Sequence, residues 1–400
     1  MHRRARIACC ALLLASTCEA LADTPAPAAA AFKLDGVATW RGDATAAYSI
    51  VHDDLCDPRR ADILARAVPE LSRHGLRAGF GAIAGACTKN DLWAQVKDLV
   101  NHGHDVINHS WSHPCMTANP KLAARCDRTF PRSTDYAVEI DKAAAVLAAN
   151  GIAPGFFAFP FDACDPAAVS RLKEQGYLGA RCGARGINAA DFADGFSVRF
   201  EVWVRASTVH DAAPPCRGPD AEASAAAQAS TACRTYALTR HVDDAIERNG
   251  WAIRELHGFD GDAGGWGAIA LDDYVAHLRY VAAKVTAGEL WVDGPTPILK
   301  YRFARLHCPA PTVNRNRLEF AVAVSAECVR YATVLSYRVS TADGSDPATL
   351  GVVQAGVMLP ARKVGRGRFV VDADPTKGDA ILSECPASSS GCAAGGVVPR

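Results

Sequence analysis

A repeated pattern of helix ends and short apolar segments constrains the fold of this 400-residue chain more than any other feature. Each repeat is a candidate helix that ends at a glycine and is followed by an apolar segment. Glycine in that place can adopt the left-handed conformation that closes a helix. The helix ends are His74-Gly75, His102-Gly103, Asn150-Gly151, Gln175-Gly176 and Asn249-Gly250, and the segments are 77–84, 105–108, 155–159, 178–181 and 251–256.

Short apolar strands that alternate with helices predict a buried parallel sheet. Helical spacing of apolar residues at 135–150 and 271–286 supports this pattern. Candidate functional residues come at the ends of the strands, and they are Asp53 and Asp54 after the segment 46–52, then His109, Phe161 and His257. A (β/α) barrel places its chemistry at this end of its strands, so we expect these residues to lie close together.

The pattern changes near Leu306. Residues 317–325 and 332–340 alternate apolar and polar side chains, and 366–371 is a third short candidate strand. This period of two, with an Asp-Gly turn signal at 343–344, predicts a small β domain. Such a domain could bind carbohydrate, or it could only pack on the barrel.

The N-terminus has the composition of a secretory signal. Three arginines precede the apolar segment 7–15, and Ala20-Leu21-Ala22 is a cleavage motif. The apolar segment is too short to span a bilayer. Cleavage near Ala22 would make the protein secreted or periplasmic. We therefore predict a signal peptide (1–22), a linker and N-terminal extension (23–40), a catalytic domain (41–305), a small β domain (306–385) and a flexible tail (386–400).

Charge and cysteine content agree with export. After cleavage, 40 basic and 42 acidic residues remain, which argues against nucleic acid or an anionic membrane as a partner. Twelve of the 15 cysteines remain without a Cys-x-x-Cys pair, which favours disulfides over a thiolate zinc site. The preferred pairs close short loops: Cys115–Cys126, Cys216–Cys233, Cys308–Cys328 and Cys385–Cys392. No protein partner can be inferred.

His109 and His113, four residues apart, are the strongest candidates for metal ligands. On a helical turn both rings would lie on one face and could reach one ion. No glutamate lies between them, so the third ligand and a base must come from elsewhere, and Asp53-Asp54 is the obvious source. Adjacent strand residues point to opposite faces. Both carboxylates can share a site only if the strand has ended and the chain turns at 55–58.

These motifs resemble those of the polysaccharide deacetylases, the NodB-homology group also called carbohydrate esterase family 4. The family's Thr-Phe-Asp-Asp motif corresponds to 51–54, its His-Ser/Thr-x-x-His motif to 109–113, and its late Leu-His to Leu256-His257. The resemblance implies a distorted, partly open (β/α) barrel of about seven strands. It also implies a divalent metal, zinc or another transition metal such as cobalt, bound by Asp54, His109 and His113.

The resemblance further implies catalytic roles for several residues. Asp53 would be the general base and His257 the general acid, while the backbone N–H of Phe161 would donate to the oxyanion. The substrate-binding candidates are Trp266, Pro160 and Arg181. Trp266 could stack on a sugar ring or anchor a lid. His52 stands where the family has phenylalanine, and it is expected at the surface or at a helix end.

The chain departs from the family pattern in two places. Where the family commonly has Arg-x-Pro-Tyr, residues 158–161 read Ala-Phe-Pro-Phe. Without that arginine, either the pKa of Asp53 is less depressed or another cation substitutes for it, with Arg181 as a candidate. The family's aspartate that tunes the acid histidine has no clear match, and Asp191 and Asp194 are the candidates.

The leading hypothesis is a metal-dependent hydrolase that removes acetyl groups from an N-acetylated polysaccharide. The alternative is an O-acetyl esterase acting on acetylated xylan or a related polymer, because the same metal and base would suffice. A third hypothesis is a carbohydrate-binding protein that kept the fold and lost turnover.

Overall fold

The computed structural model describes residues 31–203, 236–260, 267–359 and 361–384. The predicted signal peptide and its cleavage site, the predicted tail and Trp266 lie outside the described residues. The predicted pairs Cys216–Cys233 and Cys385–Cys392 lie outside them as well.

A ring of seven parallel strands forms the centre of the molecule and confirms the predicted barrel. After β1 (Phe32–Val37), the ring consists of β2 (Ala46–Leu55), β3 (Gly79–Ala82), β4 (Asp105–Asn108), β5 (Phe156–Ala158), β6 (Gly179–Arg185), β7 (Val198–Val202) and β8 (Trp251–Leu256). Because β2 pairs with both β8 and β3, the ring is closed, and the partly open form implied by the resemblance is corrected. The distortion lies between β4 and β5, which share one residue pair, Asn108 with Phe157.

Two strands of this sheet were not predicted, β7 and β9 (Leu290–Val292). β9 pairs with β2 at Ala46–Tyr48, whereas β3 pairs with β2 from Val51 onward. β9 therefore occupies the place beside β2 that β3 leaves open at the start of the strand.

Helices surround the ring. They are α1 (Val68–Arg73), α2 (Ala84–Lys89), α3 (Trp93–Asn101), α4 (Pro120–Ala123), α5 (Ala143–Ala149), α6 (Pro166–Glu174), α7 (His241–Glu247), α8 (Leu271–Thr286), α9 (Pro295–His307) and α10 (Ala326–Arg330). Wider π-helical turns, Ile63–Ala67, Ala137–Lys142 and Tyr236–Arg240, precede α1, α5 and α7. Four of the predicted helix-closing glycines have φ between 62° and 83°. At the fifth position Asn249, with φ 51°, takes the left-handed conformation in place of Gly250.

The strands are apolar throughout because both faces of the sheet are covered. All ten residues of β2 are buried. Tyr48 and Ile50 pack outward with helix residues, while Ala47 and Val51 pack into the barrel interior. Side chains alternate along a strand, so each face needs its own apolar set.

Helix α9 closes the end of the barrel where the strands begin. Its Thr296 N–H donates to the carboxylate of Asp105, the first residue of β4, over 2.8 Å. Leu299 and Phe303 join the interior cluster. A Cβ at Gly179, where β6 begins, would meet the Gly195 carbonyl oxygen at 2.3 Å and Leu299 Cδ1 at 2.7 Å, so glycine allows both close approaches. The opposite end of the barrel, where the strands finish, carries the candidate site.

The other side of α9 packs on the predicted β domain, where Tyr301 and Ala304 join a second core. One antiparallel sheet has the order β1, β12 (Leu335–Thr341), β16 (Arg368–Ala373), β15 (Ala361–Gly365). The other has β10 (Thr312–Asn314), β11 (Arg317–Glu319), β17 (Ala380–Glu384), β13 (Leu350–Gln354) and β14 (Val357–Leu359). The three predicted strands correspond to β11, β12 and β16, although β11 ends at Glu319 rather than near 325. β1 enters this domain from the N-terminal segment and pairs with β12.

Four disulfides join described residues. Cys115–Cys126 and Cys308–Cys328 were predicted from their short loops. Cys56–Cys87 and Cys164–Cys182 were not, because their partners meet only through strand pairing. None of the helices in the described ranges has the length and apolarity needed to cross a membrane.

Candidate metal centre

The two adjacent aspartates reach one site through an irregularity inside β2. Asp53 keeps the inward direction of Val51, but Asp54 adopts the left-handed conformation with φ 63°. The register between β2 and β3 shifts between His52 and Leu55. From the sequence, the strand was expected to end before the two aspartates. In the structure it continues through both of them to Leu55. A bulge turns the second carboxylate toward the first.

His109 and His113 lie on an irregular loop after β4, so the prediction of a helical turn is wrong. Ser110 and His113 have positive φ values of 70° and 58°. Side chains replace the hydrogen bonds of a helix: the Ser110 N–H donates to Asn108 Oδ1 over 2.9 Å, and the His113 N–H donates to Ser110 Oγ over 2.8 Å. Pro114 has no N–H to continue a helix. The loop still brings the two rings together, with centroids 4.8 Å apart.

Asp54, His109 and His113 bring three ligand atoms together. Asp54 Oδ1 lies 3.4 Å from His109 Nε2 and 3.2 Å from His113 Nε2. The three atoms all lie within 4.8 Å of one another, as a shared metal ion would require. His109 Nδ1 donates to the Ala158 carbonyl over 2.8 Å, and this bond orients Nε2 as the ligand atom. One carboxylate and two imidazoles suit zinc or cobalt, so the residues fit the implied metal.

Asp53 is paired with Arg181. This arginine lies on β6, the strand next to β5, where Ala158 occupies the position of the family's arginine. Arg181 Nη1 and Nη2 donate to the two Asp53 oxygens over 3.1 and 2.5 Å. Ala158 on β5 is in register with Arg181 on β6. In-register residues of parallel strands share a face, so the guanidinium reaches the same space from one strand further along. The sequence left two alternatives, a less depressed pKa of Asp53 or another cation in place of the arginine. In the structure, Arg181 is that cation.

Arg181 is shared by three carboxylates. Besides Asp53, its Nη2 lies 3.2 Å from Asp162 Oδ1 and 3.3 Å from Glu255 Oε2. Arg181, Asp53 and Glu255 are all buried. Burial favours the neutral acid at each carboxyl, and one guanidinium cannot compensate all of them equally.

The pKa values follow these contacts. Burial alone would raise the pKa of Asp53, but Arg181 and His109 outweigh it and hold the pKa below the usual value. Burial would likewise raise the pKa of Asp54, yet the two histidines hold it well below its usual range. At Glu255 burial dominates and raises the pKa well above the usual value. The site therefore holds Asp53 and Asp54 ionised at neutral pH, whereas burial favours the neutral acid at Glu255.

His257 follows β8 and faces the two aspartates. Its Nε2 lies 3.8 Å from Glu255 Oε1 and 4.0 Å from Asp54 Oδ2. Burial lowers the pKa of His257 to about 4, despite the nearby carboxylates. Its imidazole is therefore neutral at neutral pH in this structure.

His52 is fully buried behind His257, so the expectation of a surface or helix-end residue is wrong. His52 Nδ1 lies 3.1 Å from the His257 carbonyl oxygen, and its Nε2 lies 3.0 Å from the Tyr274 hydroxyl. Its ring stacks on Phe80 with centroids 5.6 Å apart. His52 thus fixes the backbone of His257 by a hydrogen bond that phenylalanine could not make.

Several neighbours of the site were missed in the sequence. Glu255 could have been found, because it precedes His257 by two residues on a strand and so shares its face. The Nε atom of Arg60 lies 3.5 Å from Asp54 Oδ2. The ring centroid of Phe130 lies 5.4 Å from that of His113. No local signal marks either residue. Asp194, a candidate for the tuning aspartate, instead caps the short helix Gly195–Ser197.

Phe161 lies at the edge of the centre. It follows β5 with φ 59°, and its ring centroid is 4.9 Å from that of His113. Pro160 is buried just before it. The structure thus brings together Asp53, Asp54, His109, His113, Phe161, Arg181 and His257 at the end of the barrel where its strands finish.

Residues 47–180 match the polysaccharide deacetylase family model. This confirms the predicted resemblance to the polysaccharide deacetylases over this segment. The match includes Asp53, Asp54, His109 and His113 and ends before β7 and β8. No curated protein is similar enough in sequence to count as a relative.

The solved structures that are similar to the chain share little sequence with it. A putative polysaccharide deacetylase from Mycobacterium smegmatis is 15% identical over 69% of this chain and 97% of its own, with a TM-score of 0.45. A probable polysaccharide deacetylase from Pseudomonas aeruginosa is 13% identical over 67% and 94%, with a TM-score of 0.43. A family 4 carbohydrate esterase from Streptomyces lividans, in complex with acetate, is 19% identical over 62% and 91%, with a TM-score of 0.34.

Proposed function

We propose that the protein is a metal-dependent hydrolase that removes acetyl groups from an N-acetylated polysaccharide. The observation that carries the proposal is the convergence of Asp54, His109 and His113, with Asp53 and its guanidinium partner beside them. A protein that only binds carbohydrate would have no use for an ionised base next to three ligand atoms. The family match over residues 47–180 supports a hydrolase of this class.

The ligands would be Asp54 and the two histidines, with zinc or cobalt as the metal. When bound, such an ion supplies Lewis acidity, which acidifies water and polarises an acetyl carbonyl. Asp53 lies against the ligands, with Oδ2 3.9 Å from His109 Nε2, and can accept a proton from the attacking water. Arg181 keeps Asp53 ionised for that role. The Phe161 N–H would donate to the oxygen that gains charge, and Pro160 and Trp266 would line the substrate path.

The leaving amine must be protonated before it departs, and His257 would supply the proton. Because burial keeps His257 neutral, the ring must first gain a proton within the catalytic cycle, and its source would be the proton that Asp53 accepts from the attacking water. His52 would orient His257 by its bond to the His257 carbonyl.

The test is acetate release from an N-acetylglucosamine oligomer by the mature protein loaded with zinc or cobalt. We expect release that stops on chelation and returns when metal is restored. No acetate from any amide or ester substrate, with metal bound, would refute a catalytic function and leave the carbohydrate-binding protein.

The second candidate is an O-acetyl esterase acting on acetylated xylan or a related polymer. The observation in its favour is that burial lowers the pKa of His257 to about 4, so the ring is a neutral imidazole at neutral pH. An alkoxide leaving group depends less on a general acid. His257→Ala should therefore abolish amide hydrolysis and spare most ester hydrolysis, and equal losses would argue against this distinction.

We propose a secreted or periplasmic location. The four disulfides among the described residues support it, because such bonds persist in oxidising compartments. Mass spectrometry of the exported protein should find an N-terminus at residue 23.

A further inference from the structure

An aromatic surface borders the candidate metal centre on the side of His113. It consists of Phe130 and Phe161, whose ring centroids lie 5.1 Å apart. Both rings contact the His113 ring edge to face. The centroid of the His113 ring lies 5.4 Å from that of Phe130 and 4.9 Å from that of Phe161. Both are partly exposed rather than buried in a core.

The ligand side chain that borders this surface is among the more accessible ones. The side chain of His109 is 2% exposed, whereas those of Asp54 and His113 are 11% and 13% exposed. Arg60, itself 6% exposed, borders the Asp54 side. A substrate that brings an acetyl group to the centre therefore passes between a cation and two aromatic rings.

Phe130 is held firmly in this position although it comes from a loop. Phe130 lies four residues beyond the Cys115–Cys126 disulfide, and the Cys115 N–H donates to the carbonyl of the next residue, Pro131, over 2.9 Å. The Arg59 guanidinium lies 5.4 Å from the ring centroid of Phe130. The Arg59 guanidinium also donates to both carboxylate oxygens of Asp57, and these bonds hold it beside the ring.

We propose that Phe130 is a specificity-determining residue that contacts the pyranose ring bearing the scissile acetyl group. A pyranose has one face of C–H groups, and a fixed, partly exposed aromatic ring suits that face. The opposite edge carries hydroxyl groups that match the polar Arg60 side. This inference rests on the proposed function, because it names the part of the substrate that the centre receives.

The test compares Phe130→Leu, Phe130→Tyr and wild type on an N-acetylglucosamine oligomer and on a small aryl acetate without a sugar. Phe130→Leu keeps apolar volume but loses the ring, so KM for the oligomer should rise roughly 3- to 12-fold while aryl acetate hydrolysis is unchanged. Phe130→Tyr should restore the wild-type KM. Phe192→Leu is the matched control, because Phe192 is partly buried at the other end of the barrel beside Phe303, and it should leave both substrates unaffected.

Two outcomes would overturn the inference. An unchanged oligomer KM in an active Phe130→Leu protein would mean that the ring does not contact sugar. Equal losses on both substrates, together with weaker zinc binding in a chelator competition, would mean that Phe130 only supports His113. Failure of the proposed function is distinct, because the wild-type protein would then release no acetate.

Discussion

At the scale of single residues, the positive charge beside Asp53 comes from the strand next to the one that carries it in the family. Ala158 leaves a gap where the family has arginine, and Arg181 fills it from the in-register position on β6. Alanine at 158 is fully buried in the barrel interior beside other apolar residues. The two positions are therefore complementary, with one small side chain and one long charged side chain sharing the same space.

The first prediction concerns Arg181→Gln. An opposite charge lowers a carboxyl pKa, so its removal should raise the pKa of Asp53 by ~1–3 units. A base must be ionised to accept a proton, so the acid limb of the pH–rate profile should move to higher pH. The profile of kcat/KM, measured with full metal loading, checks this shift.

Two variants control this prediction. Arg185→Gln removes a guanidinium from the same strand that pairs with Asp162 rather than Asp53, and it should leave the limb in place. Ala158→Arg should also leave it in place, because Arg181 already supplies the charge. A limb that moves down in Ala158→Arg would contradict the role given to Arg181.

The second prediction separates ligands from base. Asp54→Ala or His113→Ala should lose both metal and activity, because three protein ligands leave no spare. Asp53→Asn should bind metal normally and lose roughly 10²- to 10⁴-fold in kcat, the usual contribution of a positioned proton acceptor. Metal analysis of each purified variant, beside its turnover, distinguishes the two groups. Stoichiometric metal in Asp54→Ala would reject the ligand assignment.

At the scale of elements, α9 joins the two parts of the molecule. Leu299 packs into the barrel interior and Tyr301 into the β domain core, because residues two apart on a helix point to different sides. Glycine at the start of β6 lets the helix approach the strands. This helix carries no site residue, yet it closes the barrel on which the site is built.

The third prediction tests α9. Leu299→Ala should lower the free energy of unfolding by about 2–5 kcal/mol, because it removes a fully buried side chain and leaves a cavity. Leu306→Ala on the same helix is the control, since Leu306 is 52% exposed and should cost less than about 0.5 kcal/mol. Urea unfolding followed by fluorescence gives both values. Equal effects would show that α9 does not seal the interior.

At the scale of the whole molecule, disulfides fasten the segments that carry the site. Cys56 follows Asp54 by two residues, Cys115 follows His113 by two, and Cys182 follows Arg181 directly. Each bond ties a strand end or loop to a neighbouring element. The Cys308–Cys328 bond differs, because it joins the end of α9 to α10, away from the site.

The fourth prediction compares two of these bonds. Replacing Cys56 and Cys87 by serine should cost about 2–5 kcal/mol of stability and weaken zinc affinity, because the bulge that orients Asp54 loses its anchor. Replacing Cys308 and Cys328 should cost a similar stability and leave zinc affinity unchanged. Thermal unfolding and chelator competition measure the two effects. Equal zinc affinity in both double variants would remove the disulfide from any role in the centre.

The sequence by itself determined the alternation of helices and strands, the barrel and the candidate ligands Asp54, His109 and His113. These features depend on local spacing, on apolar periodicity and on motifs that a single segment contains. Only the tertiary structure decided how the ligands meet, because the bulge at Asp54 and the loop at His109–His113 depend on bonds to neighbouring segments. It also decided that Arg181 partners Asp53, that β1 completes a C-terminal sheet, and that Phe130 lies beside His113. Those contacts join residues far apart in the chain, and strand register, which brings them together, is a property of the assembled sheet.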